Sequence, residues 1–194
     1  PSTDEYAQRI LQMGEEEWRI TVVGAPGLDN LRELSLLSKS ETARMFNFDH
    51  SKPVLLVTFH PVTLEFENTE KYINNLLCAL QKVNTQLIFT YPNADTAGRI
   101  IIKHIQEFCQ DHQEASLVVN ATQKGYFSLL ASVNGMVGNS SSGIIEAASS
   151  KLPVVNIGTR QLGRIHGNNV INCNYSVSNI RNAILRALTP DFQS

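Results

Sequence analysis

A histidine directly after an apolar run is the first residue of this sequence that could do chemistry. His60 lies in residues 59–63 (FHPVT), just beyond a stretch that reads as a buried strand. A histidine at the end of such a strand can donate to a phosphate, or act as an acid or base near neutral pH. An ordinary loop histidine is the alternative, and this motif alone does not separate the two.

The strongest local pattern is the serine-rich stretch at residues 138–147 (GNSSSGIIEA), which predicts a helix start that binds phosphate or sugar phosphate. Its small residues allow a ligand to come close to the backbone, and the helix macrodipole favours an anion there. We expect Ser140, Ser141 and Ser142 to add hydroxyl donors. Glu146, further into the helix, suits the vicinal hydroxyls of a ribose. The alternative is a serine-rich helix cap without a ligand.

Two further loops carry polar residues that could reach the same ligand. Arg160 and Arg164 follow an apolar run and could clamp a diphosphate with their forked donors, although solvated loop arginines need no ligand. Asn93 and Asp95 follow another run, and we expect Asp95 to cap a helix. The sequence has neither a GxGxxG motif after its first strand nor a GK[ST] motif, so it predicts no dinucleotide fingerprint and no P-loop.

The elements that must position these residues alternate regularly along the chain. We predict helices at 67–83, at about 124–133 and at 141–150. A further helix, capped by Asp95, carries Ile101, Ile105 and Phe108 on its inner face, and a last one is capped by Ser176 or Ser178. Strands are predicted at 53–59, 86–90, 115–119, 135–138, 153–157 and about 169–172. This alternation is typical of an α/β fold with a doubly wound, mostly parallel, Rossmann-like sheet, whose ligands lie at the carboxyl ends of the strands.

The first fifty residues show less regular patterns. Residues 3–14 predict a helix with Thr3 as its cap and Gly14 as its stop, and residues 19–23 predict a short strand. Two further helical stretches are predicted at about 30–37 and 40–46. Because a helix begins so close to Pro1, we expect the chain to start inside a larger architecture.

Composition argues against several classes of partner. A net charge of −2 gives no electrostatic footprint for nucleic acid or an anionic membrane, and no apolar run is long enough to span a bilayer. Three scattered cysteines and a polar, acidic start without a signal-peptide pattern indicate a cytoplasmic protein. No spacing of histidine, cysteine or carboxylate residues predicts a metal site.

Taken together, five motifs resemble those of the hydrolysing UDP-N-acetylglucosamine 2-epimerases, in combination and in order, from about residue 3 to residue 188. They are GAPGLDN at 24–30, FHPVT at 59–63, PNAD at 92–95, GNSSSG with Glu146 at 138–146, and NIGTRQLGR at 156–164. The non-hydrolysing sister family is expected to have an arginine-rich segment after the histidine and a GDSGG helix start. The resemblance therefore favours the hydrolysing branch.

The resemblance implies one lobe of a two-lobed glycosyltransferase-B architecture. Residues 1–194 would form a single nucleotide-sugar-binding domain, with 1–50 as an interdomain or peripheral segment and 51–190 as the Rossmann-like core. The first lobe, which in the family supplies the proton-transfer carboxylates, would be absent from this chain. We therefore expect the chain to be inactive alone and the full-length enzyme to be a homo-oligomer.

The resemblance also implies a reaction in sialic acid or amino-sugar biosynthesis. UDP is eliminated to leave a 2-acetamidoglucal, and water then adds to give N-acetylmannosamine, without a metal or redox cofactor. The serines at 140–142 would bind phosphate, Arg160 the diphosphate, Glu146 the ribose and Asn93 the nucleotide, and His60 would lie where diphosphate and sugar meet. A UDP-sugar glycosyltransferase lobe and a non-catalytic nucleotide-sugar-binding module remain alternatives. Relatives acting on bacillosamine-type sugars or other nucleotide carriers leave the sugar open.

Overall fold

The computed structural model describes residues 1–29, 31 and 34–193. Within them the chain forms two compact units, Pro1–Ser35 and Leu36–Ser194. The second unit contains every motif that follows residue 36.

The first unit is built around one short helix. Helix α1 spans Asp4–Gln12, and the Thr3 side chain caps it by accepting a hydrogen bond from the Tyr6 amide at 3.3 Å, as predicted. Two 3-10 turns follow, at Glu17–Arg19 and Pro26–Leu28. The predicted strand at 19–23 is wrong, because residues 20–25 have no regular secondary structure. A β-branched run needs a neighbouring strand to form a ladder.

The helix predicted at about 30–37 falls partly outside the described residues. Positions 30, 32 and 33 are not described, and residues 34–37 are not helical.

The second unit contains a parallel sheet of six strands. In sheet order β3-β2-β1-β4-β5-β6, every neighbouring pair is parallel. The strands are β1 Val54–Thr58, β2 Gln86–Thr90, β3 Ala115–Val118, β4 Gly135–Gly138, β5 Val154–Ile157 and β6 Val170–Cys173. The sheet grows outward from β1 in one direction and then, starting at β4, in the other. In such a sheet the crevice for a ligand opens where the direction changes, between β1 and β4.

Helices cover both faces of this sheet and confirm the predicted doubly wound fold. They are α2 Lys39–Phe46, α3 Thr69–Leu80, α4 Gly98–Asp111, α5 Gln123–Ser132, α6 Ser142–Ser149, α7 Val177–Ala187 and the short α8 Pro190–Gln193. Helix α3 packs against α4 and α7, and α2 packs against α5. Helix α2, which the sequence analysis assigned to the peripheral segment 1–50, thus belongs to the sheet-bearing unit.

The burial of the strands explains why they could be predicted from the sequence. All five residues of β1 are buried, because β1 lies between β2 and β4 and is covered on both faces. The ends of the six sheet strands differ from the prediction by at most one residue. The predicted Asp95 cap is wrong: Ala97 precedes α4, and the Asp95 carbonyl accepts from the Gly98 amide at 2.8 Å, which closes a turn instead.

Candidate functional site at the carboxyl edge of the sheet

The residues after β1 and β4 are locked together by one amide side chain. Asn139 Oδ1 accepts from the His60 backbone amide at 2.7 Å, and Asn139 Nδ2 donates to the His60 carbonyl at 2.9 Å. Both residues are buried, with relative exposures of 5% for His60 and 1% for Asn139. This reciprocal pair fixes the backbone that carries His60 at the switch point of the sheet.

Gly138 allows this close approach of the two strand ends. Its φ is +139°, and a Cβ atom added there would lie 1.9 Å from the Thr58 carbonyl oxygen. The next amide, that of Asn139, donates to the same oxygen at 3.1 Å. A side chain at position 138 would therefore separate the strands that hold the site.

The loop after β5 joins the same junction through the Asn139 carbonyl. That oxygen accepts from Gln161 Nε2 at 2.8 Å and from Arg160 Nη1 at 3.1 Å. Partial burial lowers the pKa of Arg160, and the nearby Asp95 carboxylate opposes this shift. Arg160 and His60 thus both make hydrogen bonds to Asn139 at this edge of the sheet. The Arg164 side chain makes no described contact with the junction, and residue 164 is exposed.

The imidazole of His60 is held by a backbone amide of the loop after β2. The Asn93 N–H donates to His60 Nδ1 at 3.0 Å, whereas the Asn93 residue itself is exposed. Burial, reinforced by the positive charge of Arg160 and opposed by Asp95, lowers the pKa of His60 to about 4. Asn93 therefore reaches the predicted site through its main chain.

The first amides of α6 were expected to be free to bind an anion, but three of them are hydrogen-bonded within the protein. The Gly143 and Ile144 amides donate to the Ser140 and Ser141 carbonyls at 3.2 and 3.0 Å, and the Ser142 amide donates to Ser140 Oγ at 3.3 Å. The first three amides of the helix are thus already used in hydrogen bonds to Ser140 and Ser141. At this helix start, the Ser140 and Ser141 amides, just before the helix, make no hydrogen bond to any described residue.

Glu146, in the same helix, has a carboxylate oxygen without a hydrogen-bond partner among the described residues. Among the described residues, Glu146 Oε2 is buried and accepts no hydrogen bond. Nearby, the Tyr126 hydroxyl donates to Ser142 Oγ at 2.7 Å. Burial raises the pKa of Tyr126 to about 12, and the Ser142 hydrogen bond and the Glu146 charge act on it in opposite directions. An ionised acceptor in this position is suited to a hydroxyl donor that the protein does not supply.

A second set of contacts connects the segment after β1 with the loop after β5. The Glu65 carboxylate accepts from the Tyr72 hydroxyl at 2.8 Å and from the Thr159 hydroxyl. Tyr72 stacks on Tyr175, with ring centroids 3.5 Å apart. A cavity of ≈ 420 Å³ opens beside these two segments, and its lining includes Arg160.

Sequence reasoning missed three residues of this site. Asn139 and Gln161 stood inside the serine-rich and NIGTRQLGR motifs, but nothing in the sequence shows which partners their amides meet. Tyr126 reads as an ordinary helix tyrosine. Among the described residues, no group of three or more histidine, cysteine or carboxylate side chains could hold a metal ion, and no helix is long and apolar enough to cross a membrane.

Comparison with known proteins shows what the chain is similar to. The sequence profile described as UDP-N-acetylglucosamine 2-epimerase matches residues 1–194. The Campylobacter jejuni GDP/UDP-N,N'-diacetylbacillosamine 2-epimerase (hydrolyzing) is 39% identical over 168 residues, which are 86% of this chain and 44% of that protein. The Legionella pneumophila UDP-N,N'-diacetylbacillosamine 2-epimerase (hydrolyzing) is 36% identical over 187 residues, 96% of this chain and 49% of that protein.

Solved structures support the fold. The S. aureus MnaA–UDP complex has a TM-score of 0.77 at 17% identity, covering 99% of this chain and 51% of that one. A Neisseria meningitidis UDP-GlcNAc 2-epimerase bound to UDP-GlcNAc has a TM-score of 0.77 at 15% identity, covering 99% and 53%. The chain thus spans about half the length of the relatives it matches.

Proposed function

The chain belongs to the UDP-N-acetylglucosamine 2-epimerase family, and we propose that it binds the UDP part of a UDP-linked amino sugar in a hydrolysing 2-epimerase. The proposal rests on the site at the carboxyl edge of the sheet, where three loops and one helix start converge. Family membership names the class of reaction, and the side chains at this edge suggest which part of the substrate the chain holds.

The unpaired oxygen of Glu146 carries the proposal. A buried acceptor without a donor is unfavourable by roughly 1–3 kcal/mol, so a protein that keeps one is suited to a ligand that supplies the donor. The vicinal hydroxyls of a ribose are donors of this kind. We propose that Glu146 accepts from the ribose of UDP.

The phosphates are proposed to bind above this carboxylate. The open amides of Ser140 and Ser141, the hydroxyls of the three serines at 140–142 and the remaining N–H groups of Arg160 would surround a diphosphate with donors. We assign Asn93 to the nucleotide. His60 is assigned to the point where the diphosphate and the sugar meet, where it would act as the catalytic histidine.

The proposed reaction needs more catalytic groups than this site contains. Eliminating UDP requires a base for the C2 proton and stabilisation of the departing diphosphate, and the second step delivers water to the glycal. The site supports the diphosphate part. We propose that a second lobe supplies the other groups, because the relatives are about twice as long. Residues 1–194 alone would then turn over no UDP-N-acetylglucosamine.

Two sugars are candidates for the substrate. The description of the family profile suggests UDP-N-acetylglucosamine, which would give N-acetylmannosamine, as the first candidate. The names of the C. jejuni and L. pneumophila relatives favour UDP-N,N'-diacetylbacillosamine as the second candidate. Assaying the enzyme that contains this chain with each substrate, without any acceptor, distinguishes them. Release of a free 2-epimerised sugar supports a hydrolysing epimerase, whereas a requirement for an acceptor indicates a glycosyltransferase.

Binding of UDP to the chain is the direct test. UDP at about 100 times its dissociation constant should raise the free energy of unfolding by about 2.7 kcal/mol, and thermal melts with and without ligand measure this. UMP, which lacks the second phosphate, and bare diphosphate, which lacks the ribose, should each bind more weakly than UDP. A melt unmoved by millimolar UDP, with the fold intact, would count decisively against the proposal.

A further inference from the structure

The hydrogen bond to His60 Nδ1 fixes which ring nitrogen carries a proton. The partner is the backbone amide of Asn93, which can only donate, so Nδ1 must be the unprotonated acceptor. In a neutral imidazole the other nitrogen, Nε2, then carries the hydrogen. Within the described part of the chain no hydrogen bond occupies Nε2, so its N–H remains available to donate.

The surroundings also disfavour the charged ring. A proton on Nδ1 would face the proton of the Asn93 amide, and the buried position removes the water that would stabilise an imidazolium. The charged groups near the ring are Arg160, from the loop after β5, and Asp95, from the loop after β2. Burial and Arg160 outweigh Asp95, and the pKa of His60 falls to about 4.

We infer that His60 acts on the departing diphosphate as a neutral hydrogen-bond donor through Nε2–H, and not as the base that removes the C2 proton. This inference rests on the proposed function, because it takes the diphosphate to lie at the junction held by Asn139. A ring whose Nδ1 is occupied and whose Nε2 is protonated has no lone pair available to accept a proton. It can still stabilise negative charge that develops on an oxygen.

The elimination then balances without a proton transfer to this histidine. The C2–H electron pair forms the C1–C2 double bond, and the C1–O bond breaks with its pair going to the β-phosphate oxygen of UDP. The hydrogen bond from His60 Nε2 and the Arg160 guanidinium would stabilise that oxygen's charge. The C2 proton would pass to a carboxylate base on the second lobe proposed above.

Nitrogen-15 NMR of the histidine rings tests the tautomer without any ligand. In the full chain we expect His60 to show an unprotonated Nδ1 and a protonated Nε2 throughout pH 5.5–8, and the His60→Gln spectrum assigns the signals. A proton on Nδ1, or titration of the ring with the ordinary histidine pKa near 6.5, would overturn the inference.

UDP affinity tests the donor role. Gln can place an N–H close to the position of His Nε2 but cannot act as an imidazole base. We expect His60→Gln to bind UDP within about 5-fold of wild type, and His60→Ala to lose about 10-fold or more, as for a hydrogen bond to a charged group. His50→Gln, which changes an exposed histidine, is the matched control and should bind as wild type.

The pH dependence separates the two charge states. Because UDP itself titrates near pH 6, the quantity to compare is the ratio of wild-type to His60→Gln affinity at pH 6, 7 and 8. We expect a constant ratio. A ratio that rises about 10-fold per unit toward pH 6, or equal losses in the Gln and Ala variants, would overturn the donor role. Failure of wild type to bind UDP would instead defeat the proposed function and leave the NMR result standing.

Discussion

The two sides of the candidate site differ in how far the protein satisfies its own polar groups. At the junction of β1, β4 and β5, both polar ends of the Asn139 side chain and its carbonyl are hydrogen-bonded. At the start of α6, the Ser140 and Ser141 amides and one buried oxygen of Glu146 have no partner within the described chain. Among the described residues of the junction, the Gln161 side-chain oxygen is buried without a partner, so this framework is complete except at one atom. The helix start, with two open amides and an unpaired carboxylate oxygen, is receptive to a ligand.

Because of this difference, we expect substitutions at the junction to affect protein stability and substitutions at the helix start to affect ligand binding. Changes in the framework should appear mainly in the free energy of unfolding, since they break contacts that exist without a ligand. Changes at the helix start should appear in ligand affinity and leave the unliganded fold nearly unaffected, because few contacts there are made within the protein. Function-bearing sites often keep such unsatisfied groups at the expense of stability.

The largest effect is expected at Gly138. An alanine there would combine a φ of +139° with a methyl group 1.9 Å from the Thr58 carbonyl oxygen, so the strands must separate. We expect Gly138→Ala to reduce the free energy of unfolding by about 4 kcal/mol or more, measured by urea denaturation. Gly163→Ala, whose φ is +79° but whose methyl would meet no atom within 4 Å, should lose only about 1 kcal/mol. Equal losses would contradict the framework argument.

The framework should also respond to pH through His60. Its pKa of about 4 lies below the unfolded value of 6.5, so the unfolded chain binds the proton more strongly. Stability from this group is therefore complete above pH 6.5 and declines as the pH falls toward 4, by no more than about 3 kcal/mol. Denaturation at several pH values should show a shallower decline for His60→Gln than for wild type. Identical slopes would mean that the ring is not held neutral.

At the receptive helix start, a new negative charge should act on binding alone. Ser141→Asp places a carboxylate where the phosphate is proposed to lie, and we expect a loss of UDP affinity of about 100-fold with little change in melting temperature. Ser141→Ala keeps the backbone amides and should lose only a few-fold. Calorimetric titration measures both. Normal binding by the Asp variant would place the anion elsewhere.

A somewhat smaller effect than that of Ser141→Asp is expected from Glu146→Gln. Replacing the charged acceptor should weaken UDP binding by about 10- to 100-fold, from a loss of roughly 1.5–3 kcal/mol, and should scarcely affect bare diphosphate. The unliganded protein should be as stable as wild type or slightly more so, because the unpaired charge is removed. Glu107→Gln, an exposed glutamate on α4, is the control. Equal weakening of both ligands would assign Glu146 another role.

The sequence predicted the sheet well because burial leaves a local mark. Strand β1 is a continuous apolar run, and the helices around it carry regular apolar stripes, so each element could be located without knowledge of the others. The strand predicted at 19–23 failed for the opposite reason. Its β-branched residues favour a strand, but no strand among the described residues pairs with them, and the run itself does not specify a pairing partner.

The site was predictable only as a set of loops. The rule that ligands lie at the carboxyl ends of parallel strands placed these motifs at one edge of the sheet, where the structure also has them. The contacts within that edge were not visible, because they join residues far apart in sequence: His60 and Asn139 are 79 positions apart. The tautomer of His60 likewise depends on the amide of Asn93, 33 positions away, whose side chain the pattern had emphasised instead.

The strand order has a consequence for how the chain must be made. Strand β1 pairs with β2 early, but its other neighbour, β4, begins only at Gly135, so a growing chain exposes one edge of an entirely buried apolar strand until that point. Such an edge is a template for pairing with other chains. A product that stops between β3 and β4 should therefore aggregate, and slow closure of the β1–β4 pair should reduce yield more than final stability.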